Sequence, residues 1–151
     1  MNKLKTILNK IGLPIVRLYW FIFRPKTSGV KCVIENNGKI LIIRNVYGKR
    51  MWTFPGGTIN KNETPENAVK REVREEVGLE IVNIRFLGDF VSEVEYKKDK
   101  IYCFSAKSSQ LELKTRKSEI LEADWFLPSE LPQPFGPVAQ KIRELYDQFE
   151  N

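Results

Sequence analysis

Val69, Val73 and Val77 recur every four residues, a spacing that predicts a helix with one apolar stripe. Its ends are marked locally. Thr64 suits the N-cap, Pro65 sits where its missing N–H costs nothing, and Gly78 supplies a left-handed stop. Elsewhere the pattern predicts strands. Residues 28–35 and 39–45 alternate or run apolar around Asn36-Asn37-Gly38, a hairpin signal. A polar loop at 48–51 leads into a strand-like run ending in Trp52-Thr53-Phe54-Pro55-Gly56. Residues 81–96 and 100–107 read as two strands joined at a charged turn, 97–100, and 121–127 as a further strand. Residues 137–149 form a closing amphipathic helix with Val138, Ile142 and Leu145 on one face. Ahead of all this, Leu4, Ile7, Leu8 and Ile11 predict a short amphipathic helix stopping at Gly12. Pro14 then opens an aromatic-rich apolar run, 15–23, broken by Arg17.

Length and charge divide the chain unequally. Its 151 residues make one domain with a self-sufficient core. The net charge of +6 lies wholly in residues 1–26, which carry Lys3, Lys5, Lys10, Arg17, Arg24 and Lys26 and no acid. The expected organisation is therefore a basic N-terminal extension, 1–26, and a neutral main domain, 27–151. The apolar run is too short to span a bilayer, and no small-residue cleavage site follows it. It could pack on the domain or on a second copy of the chain as a homodimer, or dock on an anionic membrane surface. No RNA- or DNA-binding motif accompanies the basic residues, so nucleic acid is not an expected partner. Cys32 and Cys103, each in an apolar strand-like run, read as buried free thiols. The expectation is a cytoplasmic protein, with the membrane periphery open to it through the extension. With no histidine in the chain, a Ser-His or Cys-His nucleophilic centre is excluded, and a zinc site finds no support.

The helix carries the candidate chemistry. At about 100° per residue, Glu72, Glu75 and Glu76 gather in one sector beside the valine stripe, with Lys70 and Arg74 on the other flank. Like charges so close repel and raise one another's pKa. A hard divalent cation with oxygen ligands would neutralise them. An exposed Glu/Lys/Arg helix would be the bland alternative, but the Pro-Gly-Gly turn and fixed offsets before the helix argue against it. Gly57, then Glu63, then Arg71-Glu72-Val73-Arg74-Glu75-Glu76-Val77-Gly78-Leu79 resembles the signature of the Nudix hydrolase family, with every defined position filled across 57–79. Flanking features, including Asp124-Trp125-Phe126-Leu127-Pro128, extend the resemblance to about residues 28–151.

The resemblance implies an α+β fold, a Nudix-type α/β/α sandwich with a mixed β-sheet. It also implies a metal-dependent hydrolase that cuts the pyrophosphate of a nucleoside diphosphate linked to another moiety X. The Gly56 carbonyl with Glu72, Glu75 and Glu76 would hold Mg²⁺ or Mn²⁺, and Arg71 with Glu63 would form a supporting ion pair. A water would attack, its proton going to Glu75, Glu76 or Glu119. Glu119, six residues before Trp125, is the preferred loop carboxylate and Glu122 the next. The alternative from another class is a nucleotide-sensing domain that keeps the fold and binds without cleaving.

Substrate choice lies outside the 57–79 segment. Arg44, Tyr47, Arg50 and Trp52 lie just upstream, where basic and aromatic side chains could meet phosphate and base, or simply pack a strand edge. Tyr96 stands about where some members cleaving dinucleoside polyphosphates carry a tyrosine. The proline of many ADP-ribose-cleaving members is missing from 80–96, and the coenzyme A pattern is not matched.

Overall fold

A computed structural model describes residues 26–94 and 97–150, together with Ile15, Leu18 and Ile22. The strands are β1 (Lys26–Asn36), β2 (Lys39–Asn45), β3 (Trp52–Thr53), β4 (Val82–Val94), β5 (Lys97–Lys107) and β6 (Ile120–Phe126). The helices are α1 (Pro65–Val77) and α2 (Pro137–Glu150). The sheet runs β3-β2-β1-β5-β4, with β6 also paired to β2. It is mixed, since β1 and β5 are parallel and the other ladders antiparallel.

Both faces of this sheet are covered, and the sequence shows it. Along β2 the run Ile40-Leu41-Ile42-Ile43 is buried at every position, as expected of a strand packed on both sides. Leu41 and Ile43 join Val30, Cys32 and Ile34 of β1 against Val69, Val73 and Val77 of α1. Ile40 and Ile42 join Val33, Phe54 and Cys103 against Ala139, Ile142 and Tyr146 of α2. The result is the expected α/β/α sandwich. Full burial of each α1 valine contributes roughly 2 kcal/mol. Both cysteines are free and buried, and burial pushes both thiols well above their ordinary pKa.

One irregularity positions the site. β1 and β2 pair only beside their turn, at Glu35↔Ile40 and Asn36↔Lys39. Beyond it the strands part, and the 55–59 segment takes the edge that β1 has left. Val30 N–H donates to Gly57 O at 2.8 Å, Cys32 N–H to Pro55 O at 2.9 Å and Ile59 N–H to Ser28 O at 3.0 Å. The glycine turn is thereby built into the sheet.

The helix over 65–77 forms as expected. Thr64 caps it by accepting from Asn67 N–H, and Gly78 closes it at φ 72°. Three expectations need correction. The charged segment 97–100 is not a turn but the start of β5, because its charges find partners across the ladder: Lys98 meets Glu93 at 3.2 Å and Lys100 meets Asp89 at 3.4 Å. The buried line of α2 is Ala139, Ile142 and Tyr146, with Val138 and Leu145 only partly covered. The run into the glycine turn holds just two strand residues, Trp52 and Thr53. The helix expected over 4–11 and Tyr96 lie outside the described residues. Of the 15–23 run, Ile15, Leu18 and Ile22 are described, helical and more than half exposed. No helix among the described residues is long and apolar enough to cross a membrane.

Candidate active site

The glycine turn and the last turn of α1 are tied together. Gly56 has φ 144°, and a Cβ there would stand 2.0 Å from Val30 O, so a side chain is excluded both by conformation and by contact. This approach lets Gly56 N–H donate to Glu76 Oε2 at 2.8 Å. At Gly57 a Cβ would stand 2.5 Å from the Glu72 carboxylate. The missing Gly57 side chain thus makes room for Glu72, and the missing Gly56 side chain lets the turn lie against β1. Lys31 of β1 donates to Phe54 O at 3.0 Å, fixing the other end of the turn.

Arg71 organises the acids from the opposite side. Its Nε and Nη2 reach the two oxygens of Glu63 at 2.8 and 2.9 Å, a bidentate pair of the strong kind. Nη2 also donates to Thr58 O at 2.8 Å, while Nη1 meets Glu72 at 2.8 Å and Glu75 at 3.5 Å. The Arg71 hydrogen bonds, with help from Asn60 N–H, lower the Glu63 pKa from 4.5 to about 2. A depressed carboxylate stabilises the fold above its unfolded pKa and loses that contribution as pH falls through the folded one. Acid unfolding of Glu63→Gln should therefore lack part of the wild-type loss of stability between pH 4.5 and about 2. Parallel unfolding curves for the two proteins would refute this role.

Glu76 is the buried member, 7% exposed. Its pKa is raised from 4.5 to about 6, chiefly by burial. Lys31 and Gly56 N–H oppose the shift, and the charges of Glu72 and Glu119 add to it. A cleft of about 310 Å³ opens beside it, lined by Asn45, Tyr47, Glu76, Ser118 and Glu119. Glu119 accepts from Arg116 Nη1 at 3.0 Å, and Arg116 Nη2 stands 3.9 Å from Glu75.

These contacts bring Gly56, Glu63, Arg71, Glu72, Glu75, Glu76 and Glu119 into one connected group. No three acids or thiols among the described residues are gathered tightly enough to form a finished metal site. Arg71 and Arg116 hold Glu63, Glu72, Glu75 and Glu119 toward themselves. The donor chemistry nonetheless fits a hard divalent ion: every candidate ligand is oxygen, and the buried Glu76 carboxylate gains charge compensation from one.

Among the upstream residues, Tyr47 lines the cleft and is 67% exposed. Arg44 pairs with Glu122 at 2.9 Å and lies 5.2 Å over the Trp52 ring, and Trp52 meets Phe126 edge-on at 5.6 Å. Exposed Arg50 lies outside the cleft lining. Lys31, Asn45, Arg116 and Ser118 were not foreseen. Arg116 carried a weak signal, since it lies three residues before Glu119.

Comparison with known proteins identifies the family and the fold. A family model described as the NUDIX domain matches residues 25–149. The NAD-capped RNA hydrolase NudC of Vibrio atlanticus (strain LGP32) is 32% identical over 114 residues, covering 74% of this chain and 42% of that protein. An RNA pyrophosphohydrolase of Yersinia enterocolitica is 41% identical over 78 residues, covering 52% of this chain and 43% of the relative. The chain thus spans less than half the length of these curated relatives. A crystal structure of a MutT NUDIX hydrolase from Burkholderia pseudomallei shares the fold, with a TM-score of 0.74 at 23% identity over 80% of this chain and 98% of that one.

Proposed function

The chain belongs to the Nudix hydrolase family, and we propose that it acts as a metal-dependent pyrophosphohydrolase on a nucleoside diphosphate linked to another moiety X. The observation that carries this reading is the joining of Glu76 to the Gly56 turn by a 2.8 Å hydrogen bond, with Glu119 lining the same cleft and Glu72 and Glu75 held nearby by Arg71. Family members generally use a divalent metal. Here Glu72, Glu75, Glu76 and the Gly56 carbonyl would hold Mg²⁺ or Mn²⁺. When bound, such an ion supplies positive charge to the pyrophosphate oxygens and makes a coordinated water more acidic.

The remaining work falls to the chain. Arg71 keeps Glu72 and Glu75 in place while its pair with Glu63 braces the turn. Glu119, outside the ligand set and open to the cleft, takes the proton of the attacking water. The water oxygen bonds to one phosphorus, the bridging P–O bond breaks, and the other phosphate leaves with the electron pair. The cleft, with exposed Tyr47 at its side, is where the nucleotide part would lie.

The relatives named NAD-capped RNA hydrolase and RNA pyrophosphohydrolase suggest adding NAD-capped RNA and RNA to nucleotide sugars and dinucleoside polyphosphates as substrates to try. Incubation of such a panel with Mg²⁺, followed by mass spectrometry of the products, should give two phosphorylated fragments from at least one member. Failure with all of them would count against hydrolysis. We place the basic residues 1–26 outside the reaction, as an attachment to a membrane surface or a second copy. Equal kcat and KM for a chain beginning at Thr27 would support that, whereas a large loss would bring the extension into the site.

A further inference from the structure

Among the described residues, three cationic side chains act on the carboxylate group, and they differ in what they have left to give. Arg71 has spent its fork: Nε, Nη1 and Nη2 all donate, to Glu63, Glu72, Glu75 and Thr58. A guanidinium has five N–H donors, and these five contacts account for them. Lys31 donates to Phe54 O, and its charge acts on the buried Glu76. Arg116 is different. Its side chain is 44% exposed, Nη1 holds Glu119 at 3.0 Å, and Nη2 stands 3.9 Å from Glu75, beyond hydrogen-bond range.

The backbone of Arg116 is firmly fixed even so. Its N–H donates to Glu76 O at 2.9 Å, and its carbonyl accepts from Glu119 N–H at 2.9 Å and Ile120 N–H at 2.8 Å. Lys114 N–H adds a bond to Val77 O at 2.9 Å. A rigid main chain therefore presents a side chain that can swing between partners. A divalent ion would draw Glu75 away from it, and an arriving pyrophosphate would offer the guanidinium oxygens that match its fork better than one carboxylate at 3.0 Å.

We propose that Arg116 is a phosphate-binding residue of this site, held beside the cleft-lining Glu119 with Glu75 3.9 Å away, and passed to the substrate when a divalent ion engages Glu75. The exchange also releases the Glu119 carboxylate for the water's proton. This inference rests on the metal-dependent reading above.

The test combines direct Mn²⁺ binding with kinetics on wild type, Arg116→Ala and Arg116→Lys. Mn²⁺ binding is followed by the loss of the free-ion paramagnetic resonance signal, independently of turnover. The alanine variant should raise KM at least about tenfold, the scale of a charge-assisted phosphate contact. It should bind Mn²⁺ as tightly as wild type or more tightly, because a competing cation is gone. Lysine, a point charge without the fork, should recover part of the KM loss. An unchanged KM overturns the proposal. So does a KM increase matched by an equal loss of Mn²⁺ affinity, since Arg116 would then act only by ordering the carboxylates. If wild type itself neither binds Mn²⁺ nor hydrolyses the panel, the underlying reading fails instead.

Discussion

Glu76→Gln is expected to cut turnover by at least about a hundredfold, the scale of losing an electrostatic or proton-transfer contribution, while making the chelator-treated protein more stable. The two effects have one origin. Glu76 is nearly buried and its pKa is raised from 4.5 to about 6. The folded chain therefore binds this proton more tightly than the unfolded chain does. By linkage, the contribution of Glu76 becomes less favourable as pH rises from 4.5 to about 6, and its full cost is present above that. The shift corresponds to about 1–2 kcal/mol. Glutamine removes the charge, keeps the shape, and retains an oxygen for Gly56 N–H. At neutral pH with chelator, thermal unfolding should move up by a few degrees, on the order of 2–4 °C per kcal/mol for a chain of this size. At pH 4.5 the gain should shrink. A variant that melts lower and works normally would show that Glu76 is an ordinary buried acid.

Gly56→Ala is the second large effect, and it acts on the fold. The added Cβ would meet Val30 O at 2.0 Å, Val30 C at 2.8 Å and Lys31 Cα at 2.9 Å, all backbone atoms of β1. No rotamer change relieves contacts of that kind, and φ 144° adds conformational strain. The turn would have to leave the strand, breaking the bonds from Val30 and Cys32 to Gly57 and Pro55. A loss above about 4 kcal/mol is expected, a large share of the roughly 5–15 kcal/mol that holds a domain together. Denaturant titration against Gly48→Ala gives the comparison. Gly48 also has positive φ, but a Cβ there meets nothing within 4 Å, so its cost should stay near about 1 kcal/mol. Similar midpoints for the two variants would contradict the close approach of turn and strand.

The parts legible from sequence are those whose causes are local. The α1 boundaries follow from Thr64, Pro65 and Gly78, and its buried face from the valine spacing. The β1–β2 hairpin follows from Asn36-Asn37-Gly38, where Asn37 and Gly38 both take positive φ. What escaped depends on partners distant in sequence. Lys98 and Lys100 look like turn residues until β4 brings Glu93 opposite the first and Asp89 diagonally within reach of the second. Glu119 and Glu122 are hard to rank from spacing alone. The β2–β6 register separates them, setting Glu122 across from Arg44 and leaving Glu119 beside Glu76 in the cleft. Lys31 belongs to the site only because β1 and β2 part and admit the glycine turn.

Most direct for the central claim is a Mg²⁺ titration of pyrophosphate hydrolysis by wild type and Glu76→Gln, using one substrate found in the panel and a chelator control. The account predicts saturable dependence on Mg²⁺ for wild type, no turnover in chelator, and at least about a hundredfold less product from the variant at every ion concentration. Hydrolysis that persists in chelator, or that the variant carries out at the wild-type rate, would contradict it.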